Sequence, residues 1–133
     1  SGKGHIMVVD DDNELAGFLR EMLTNRGYEV ELFVDPCKAL GAFEESPGKY
    51  DLVLTDQTMP ILPGHKLARA LMKKRPDIPI ILCTGYSDIM DEEKSREMNI
   101  SGFLHKPVES SQLVNMINSL ISVENKMANK QLH

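Results

Sequence analysis

Two cysteines are too few for a disulfide framework, and neither Cys37 nor Cys83 belongs to a C-x-x-C pair. They read as reduced thiols, the usual state in a cytoplasmic protein. The four histidines are scattered, with no spacing that would clasp a transition metal. No stretch approaches the roughly 20 apolar residues of a membrane span. The opening Ser1-Gly2-Lys3-Gly4 lacks the apolar core of a signal peptide and is expected to be a linker or a cloning scar. Basic residues are outnumbered, 15 Lys and Arg against 20 Asp and Glu, for a net charge of -5. A general nucleic-acid binder is usually basic, so that class is set aside. Internal repeats and low-complexity tracts are missing too. What remains is 133 residues, 41% of them hydrophobic, which is enough for one core and one domain.

Apolar runs and helical stripes alternate along that domain. Ile6-Met7-Val8-Val9, Leu52-Val53-Leu54 and Ile80-Ile81-Leu82-Cys83 are continuous apolar runs, as in strands buried on both faces; Ile78 is read into the last of them. Val30, Leu32 and Val34 alternate with less apolar neighbours and predict a half-buried strand. Gly102–His105 predicts a short one. Between them, Leu15, Phe18, Leu19, Met22 and Leu23 repeat at i, i+3, i+4, i+7, i+8, one helix stripe, and Gly27 follows as a helix stop. Asp35-Pro36 opens a helix carrying Ala39, Leu40 and Phe43. Leu67, Ala70 and Leu71 mark another, whose closing Lys73-Lys74-Arg75 reads as a solvated helix end. Asp88–Asn99 predicts a weakly amphipathic helix. Leu113, Met116, Ile117, Leu120 and Ile121 mark the last, with Glu124–His133 a polar tail, either its fraying end or a connector.

The pattern is (βα)5, an α/β fold. Apolar strands one, three and four belong in the centre and strands two and five at the edges. Right-handed crossovers must also cover both faces. Order 2-1-3-4-5, the flavodoxin-like doubly wound sheet, meets these conditions.

Polar groups gather where the strands end: Asp10, Asp11 and Asp12 after the first, Asp56 at the third, Thr84 at the fourth, Lys106 at the fifth. In an open parallel sheet those positions converge on one crevice, where such folds bind ligands. Any single Asp between a strand and a helix is often only an N-cap, and Asp12 or Asn13 fits that role. Carboxylates from Asp10, Asp11 and Asp56 repel when close, unless a divalent cation lies among them. Mg²⁺ suits an oxygen-only set and would neutralise an incoming phosphoryl group. Lys106 offers a fixed positive charge and Thr84 a hydroxyl donor.

Val8-Val9-Asp10-Asp11-Asp12, Asp56-Gln57-Thr58-Met59-Pro60, Cys83-Thr84-Gly85 and Lys106-Pro107 together resemble the receiver domain of two-component response regulators. The resemblance spans roughly residues 5–122, with the domain taken as 5–123. It implies that Asp56 accepts a phosphoryl group from phosphohistidine on a histidine kinase or histidine phosphotransfer domain. It implies that Asp10, Asp11, Asp56 and the backbone carbonyl of Thr58 hold Mg²⁺, and that Thr84 and Lys106 contact the phosphoryl group. Phe103 matches the aromatic switch position coupled to Thr84. The Lys106-Pro107 bond matches one that is cis in the family. The surface of the fourth helix, fifth strand and fifth helix would carry the signal in the cytoplasm.

Two departures stand out. Ile61-Leu62-Pro63-Gly64 lacks the Asp that the family often has before the glycine, and Thr58 and Tyr86 occupy the two variable positions that, in the family the chain resembles, tune phosphoryl lifetime. A bulky Tyr86 would shield the acyl phosphate, so Tyr86→Ala is expected to lose phosphate faster than wild type. The stretch Pro79–Ser87 is similar to receivers at the end of hybrid sensor histidine kinases, so an excised hybrid-kinase receiver or a stand-alone one is expected. Ile89, Met90 and Met98, with Val114 and Val123, are candidates for a partner or homodimer surface. His65 and His105 read as surface or loop residues.

Two other functions compete. A phosphorylation-independent receiver would serve only as a protein-binding module. A phosphatase of the haloacid-dehalogenase type also uses a strand-end aspartate, but needs a second carboxylate two residues on, where this chain has Thr58.

Overall fold

The computed structural model describes residues 3–85 and 90–132. Among them, five strands alternate with five helices: β1 (His5–Val9), α1 (Asn13–Asn25), β2 (Glu29–Phe33), α2 (Pro36–Glu45), β3 (Leu52–Asp56), α3 (Gly64–Lys74), β4 (Ile80–Thr84), α4 (Glu92–Glu97), β5 (Gly102–His105) and α5 (Ser110–Leu132). All neighbouring strands are parallel and lie in the expected order β2-β1-β3-β4-β5. Every residue of β3 and β4 is buried, whereas the edge strand β2 is half-covered at best.

Successive side chains of a strand point to opposite faces, so the sheet divides the core in two. Met7, Val9, Val53, Ile80 and Leu82 meet Phe43 of α2 and Leu67 and Leu71 of α3 on one face. Ile6, Val8, Leu52, Leu54 and Ile81 meet Leu19 and Leu23 of α1 and Leu113 and Ile117 of α5 on the other. Helices on both faces leave the strand ends as the open edge where polar groups can collect.

Several expectations shift by a residue or a turn. The inward face of α1 is centred on Ala16, Leu19 and Leu23, and Phe18 is 52% exposed. The small Ala16 lets α1 approach the sheet; a pattern built on large side chains overlooks it. In α3 the buried alanine is Ala68, not Ala70. β2 ends at Phe33, leaving Val34 exposed, and Ile78 is buried just ahead of β4. The predicted start of α4 at Asp88 lies outside the described residues; Asp91 caps the helix, its carboxylate accepting the Lys94 N–H at 2.8 Å. With Ser95 its only buried residue, α4 has little apolar face and is short. Met90 and Val114 belong to the buried core rather than to an exposed partner surface, and Met98 packs against it; Ile89 and the side chain of Val123 lie outside the described residues. The predicted polar tail is helical as far as Leu132, where α5 ends.

Lys73 and Lys74 are exposed at the end of α3, but Arg75 is not merely solvated. Its guanidinium reaches back to the α2–β3 connection, donating from Nη1 to the carbonyl of Pro47 at 3.0 Å and to that of Tyr50. Arg75→Ala is expected to cost about 2 kcal/mol in urea unfolding, because hydrogen bonds from charged donors are at the strong end of protein hydrogen bonds. Ile61 is 90% exposed, with φ at 73°. A β-branched residue in the left-handed region is strained and here has little burial to offset it. Ile61→Asn is therefore expected to stabilise the fold by about 1 kcal/mol in the same assay.

Candidate functional site

β1 delivers Asp10 to the open edge, where the Asp10 N–H donates to the Phe33 carbonyl of β2 at 3.0 Å. Asp10 is only 3% exposed, and its Oδ1 accepts the Asp12 N–H at 2.9 Å. Asp12 has turned toward α1 and caps it, accepting from the backbone of Glu14 and Leu15. The cap reading therefore holds for Asp12 and leaves Asp10 and the exposed Asp11 for other work. β3 delivers Asp56, 4% exposed, level with Cys83 of β4. Single carboxylate oxygens of Asp10, Asp11 and Asp56 all lie within 4.8 Å of one another. Lys106, just past β5, places Nζ 2.8 Å from Asp56 Oδ1 and 4.0 Å from Asp10 Oδ2. The backbone joins these pieces as well, the Lys106 N–H donating to the Thr84 carbonyl at 2.8 Å.

Three carboxylates against one ammonium leave this cluster with two surplus negative charges. The effect is visible in Asp10, whose carboxyl is raised from 3.8 to about 6: burial contributes most, and the charge of Asp56 adds to it against the Asp12 N–H and Lys106. Burial alone would lower Lys106, but its hydrogen bond to Asp56 and the nearby negative groups more than offset that and hold it above its usual value. Burial, with Asp56 beside it, pushes the Cys83 thiol up to about 12, so it is no nucleophile at neutral pH.

Thr84 ends β4 fully buried, and its hydroxyl has no hydrogen-bond partner among the described residues. A buried hydroxyl left open at a crevice is a donor waiting for an acceptor. The oxygen-only donor set, crowded and short of positive charge, fits a hard divalent cation such as Mg²⁺. Thr58 is exposed in the loop after β3, between buried Gln57 and Met59. Phe103 of β5 is half-buried against the core, with its ring edge-on to His105 at 5.1 Å. The Lys106-Pro107 bond is cis. Tyr86 lies outside the described residues.

One residue of this neighbourhood escaped the sequence reading. Gln57, directly after Asp56, is 4% exposed and bonds to His65, which is thereby more than a loop residue. No local pattern of side chains signals such a pair, since its members are joined only when α3 folds back against β3.

A family model described as the response regulator receiver domain matches residues 6–118. The chain is 34% identical over 120 residues to the transcriptional regulatory protein FixJ of Bradyrhizobium diazoefficiens, covering 90% of this chain and 57% of that one. It is 31% identical over 121 residues to the sensor kinase CckA of Brucella abortus, covering 91% of this chain and 13% of that one. Among solved structures, a response regulator receiver domain protein from Clostridium thermocellum matches with a TM-score of 0.88 and 28% identity, over 92% of this chain and 98% of that one. The chain spans about half the length of the first curated relatives it matches.

Proposed function

The chain belongs to the response regulator receiver domain family, and on that footing we propose that Asp56 is its phosphoryl acceptor. The observation that carries this reading is the setting of Asp56: a nearly buried carboxylate, 2.8 Å from the Lys106 ammonium and within 4.8 Å of two further carboxylates. In the transfer, an Asp56 carboxylate oxygen bonds to phosphorus while the P–N bond of a phosphohistidine breaks. The electron pair of that bond leaves with the imidazole, and an acyl phosphate remains on Asp56.

Asp10, Asp11 and Asp56, with the Thr58 carbonyl, are the groups that would hold Mg²⁺, which when bound supplies positive charge against the incoming phosphoryl oxygens. Lys106 supplies a second positive charge from the protein itself. The open hydroxyl of Thr84 donates to a phosphoryl oxygen. Drawing Thr84 toward the phosphoryl group frees space beside β5, into which Phe103 turns. The added charge of about -1.5 to -2 thus biases the surface of α4, β5 and α5 between two states.

The donor is a histidine kinase or a histidine phosphotransfer domain in the cytoplasm, and the match to a sensor kinase is consistent with a receiver joined to its own kinase. Among the described residues no helix is long and apolar enough to cross a membrane. A small phosphodonor with Mg²⁺ tests the reading directly. Wild type is expected to gain one phosphoryl group by intact mass, and Asp56→Asn none. Equal labelling of both proteins overturns the assignment.

A further inference from the structure

Gln57 is a buried amide beside the acceptor, and burial of an amide is costly unless its polar atoms are bonded. It directs both ends of that amide to one residue. Oε1 accepts the His65 backbone N–H at 2.9 Å, and Nε2 lies 2.6 Å from His65 Nδ1. The first bond fixes the orientation of the amide, so Nε2 must donate. Nδ1 is therefore the acceptor, and the neutral imidazole carries its proton on Nε2. His65 is held below its usual value by burial and by the charges of Lys66 and Arg69, which favours that neutral form.

The backbone of Gln57 completes the join. Its N–H donates to the Cys83 carbonyl of β4 at 2.8 Å, and its carbonyl accepts the Gly64 N–H at 2.9 Å. Residues 57 and 64–65 are thus locked together across the base of the loop that carries Thr58. Thr58 itself is exposed, with Gln57 and Met59 buried on either side, so its carbonyl direction follows from how those neighbours are anchored. An apolar side chain of similar volume would fill the space of Gln57 without fixing that angle.

We propose that the Gln57–His65 pair is a positioning clasp that sets the β3–α3 loop so that the Thr58 carbonyl faces the carboxylate cluster. The inference rests on the Mg²⁺ reading above. It makes the amide of Gln57 and the imidazole of His65 supports of the metal site without either touching the ion.

Calorimetric titration with Mg²⁺ tests it in a double-mutant cycle. Gln57→Met and His65→Leu are each expected to weaken binding about tenfold, the usual scale for groups that orient a ligand. The double variant is expected to be no weaker than either single one, because the two residues act as a unit. Gln57→Glu tests the Gln57–His65 contact itself, while the Mg²⁺ affinity is the readout that a merely structural contact would not move. Its carboxylate accepts both the His65 N–H and a protonated Nδ1–H, so the imidazole ¹⁵N titration of His65 is expected to rise from below its usual value to above it. Affinities within about twofold of wild type in the single variants, or fully additive losses, overturn the clasp. Should Gln57→Met fail to fold, His65→Leu, at a half-buried position, carries the affinity test alone. Wild type that binds no Mg²⁺ refutes the metal reading instead. The clasp is then judged by amide exchange over residues 58–64, and unchanged protection in His65→Leu rejects it.

Discussion

Gly64→Ala is expected to lower the stability of the domain by about 3 kcal/mol, roughly 10 °C in thermal midpoint, and to cripple phosphoryl acceptance at Asp56. The reason is contact rather than backbone freedom. A Cβ at residue 64 would lie 2.2 Å from the Asp56 carbonyl oxygen and 2.7 Å from Leu82 Cδ1. The leucine methyl can rotate aside, but the carbonyl is backbone of the strand that holds Asp56. Relief must come from moving α3 away from β3, which also stretches the Gly64 N–H bond to the Gln57 carbonyl. Circular dichroism melting and phosphodonor labelling measure the two effects, and a midpoint within about 2 °C of wild type contradicts the packing argument. Gly102 makes a useful comparison. Its nearest neighbour for a Cβ is the sulfur of Met116 at 2.5 Å, on a flexible side chain, so Gly102→Ala is expected to cost less.

Asp10→Asn is expected to act in the opposite direction on stability while abolishing Mg²⁺ binding. The Asp10 carboxyl is raised from 3.8 to about 6 on folding, so the folded state holds its proton more tightly than the unfolded chain does. The stability this confers is complete below about pH 4 and is lost as pH rises through about 6. At neutral pH the ionised Asp10 therefore costs the metal-free fold on the order of 2–3 kcal/mol. Asparagine removes the charge and keeps an oxygen for the Asp12 N–H. In urea, metal-free Asp10→Asn is expected to exceed wild type at pH 7 by on the order of 2 kcal/mol, with the gap closing toward pH 4. Adding Mg²⁺ is expected to stabilise wild type and leave the variant unchanged. Equal stabilities at pH 7 sink the claim that this carboxylate is held at a cost.

The sheet order was legible because burial on both faces leaves an unbroken apolar run, and β1, β3 and β4 each carry one. The carboxylates and Thr84 were legible for a related reason, since they lie at or just past the ends of such runs, and Lys106 because it follows the short β5. Phe18 and Ala16 were not, because a helix stripe read from large side chains cannot say where a small residue lets the backbone close in. Arg75 and Gln57 were not either. Both are polar residues whose partners are set by tertiary approach, 28 and 25 residues away for Arg75 and 8 for Gln57.

The origin of each site group along the chain has a consequence for folding order. Asp10, Asp11 and Asp56 all come from the first three strands, which pair with one another through β1. The ammonium of Lys106 and the hydroxyl of Thr84 come from the last two. An assembling sheet that has joined β1, β2 and β3 has gathered its acidic groups before its own counter-charge has arrived. Docking of β4 and β5 thus brings electrostatic relief as well as apolar burial, and a divalent cation present early would hold the first half together until that relief comes.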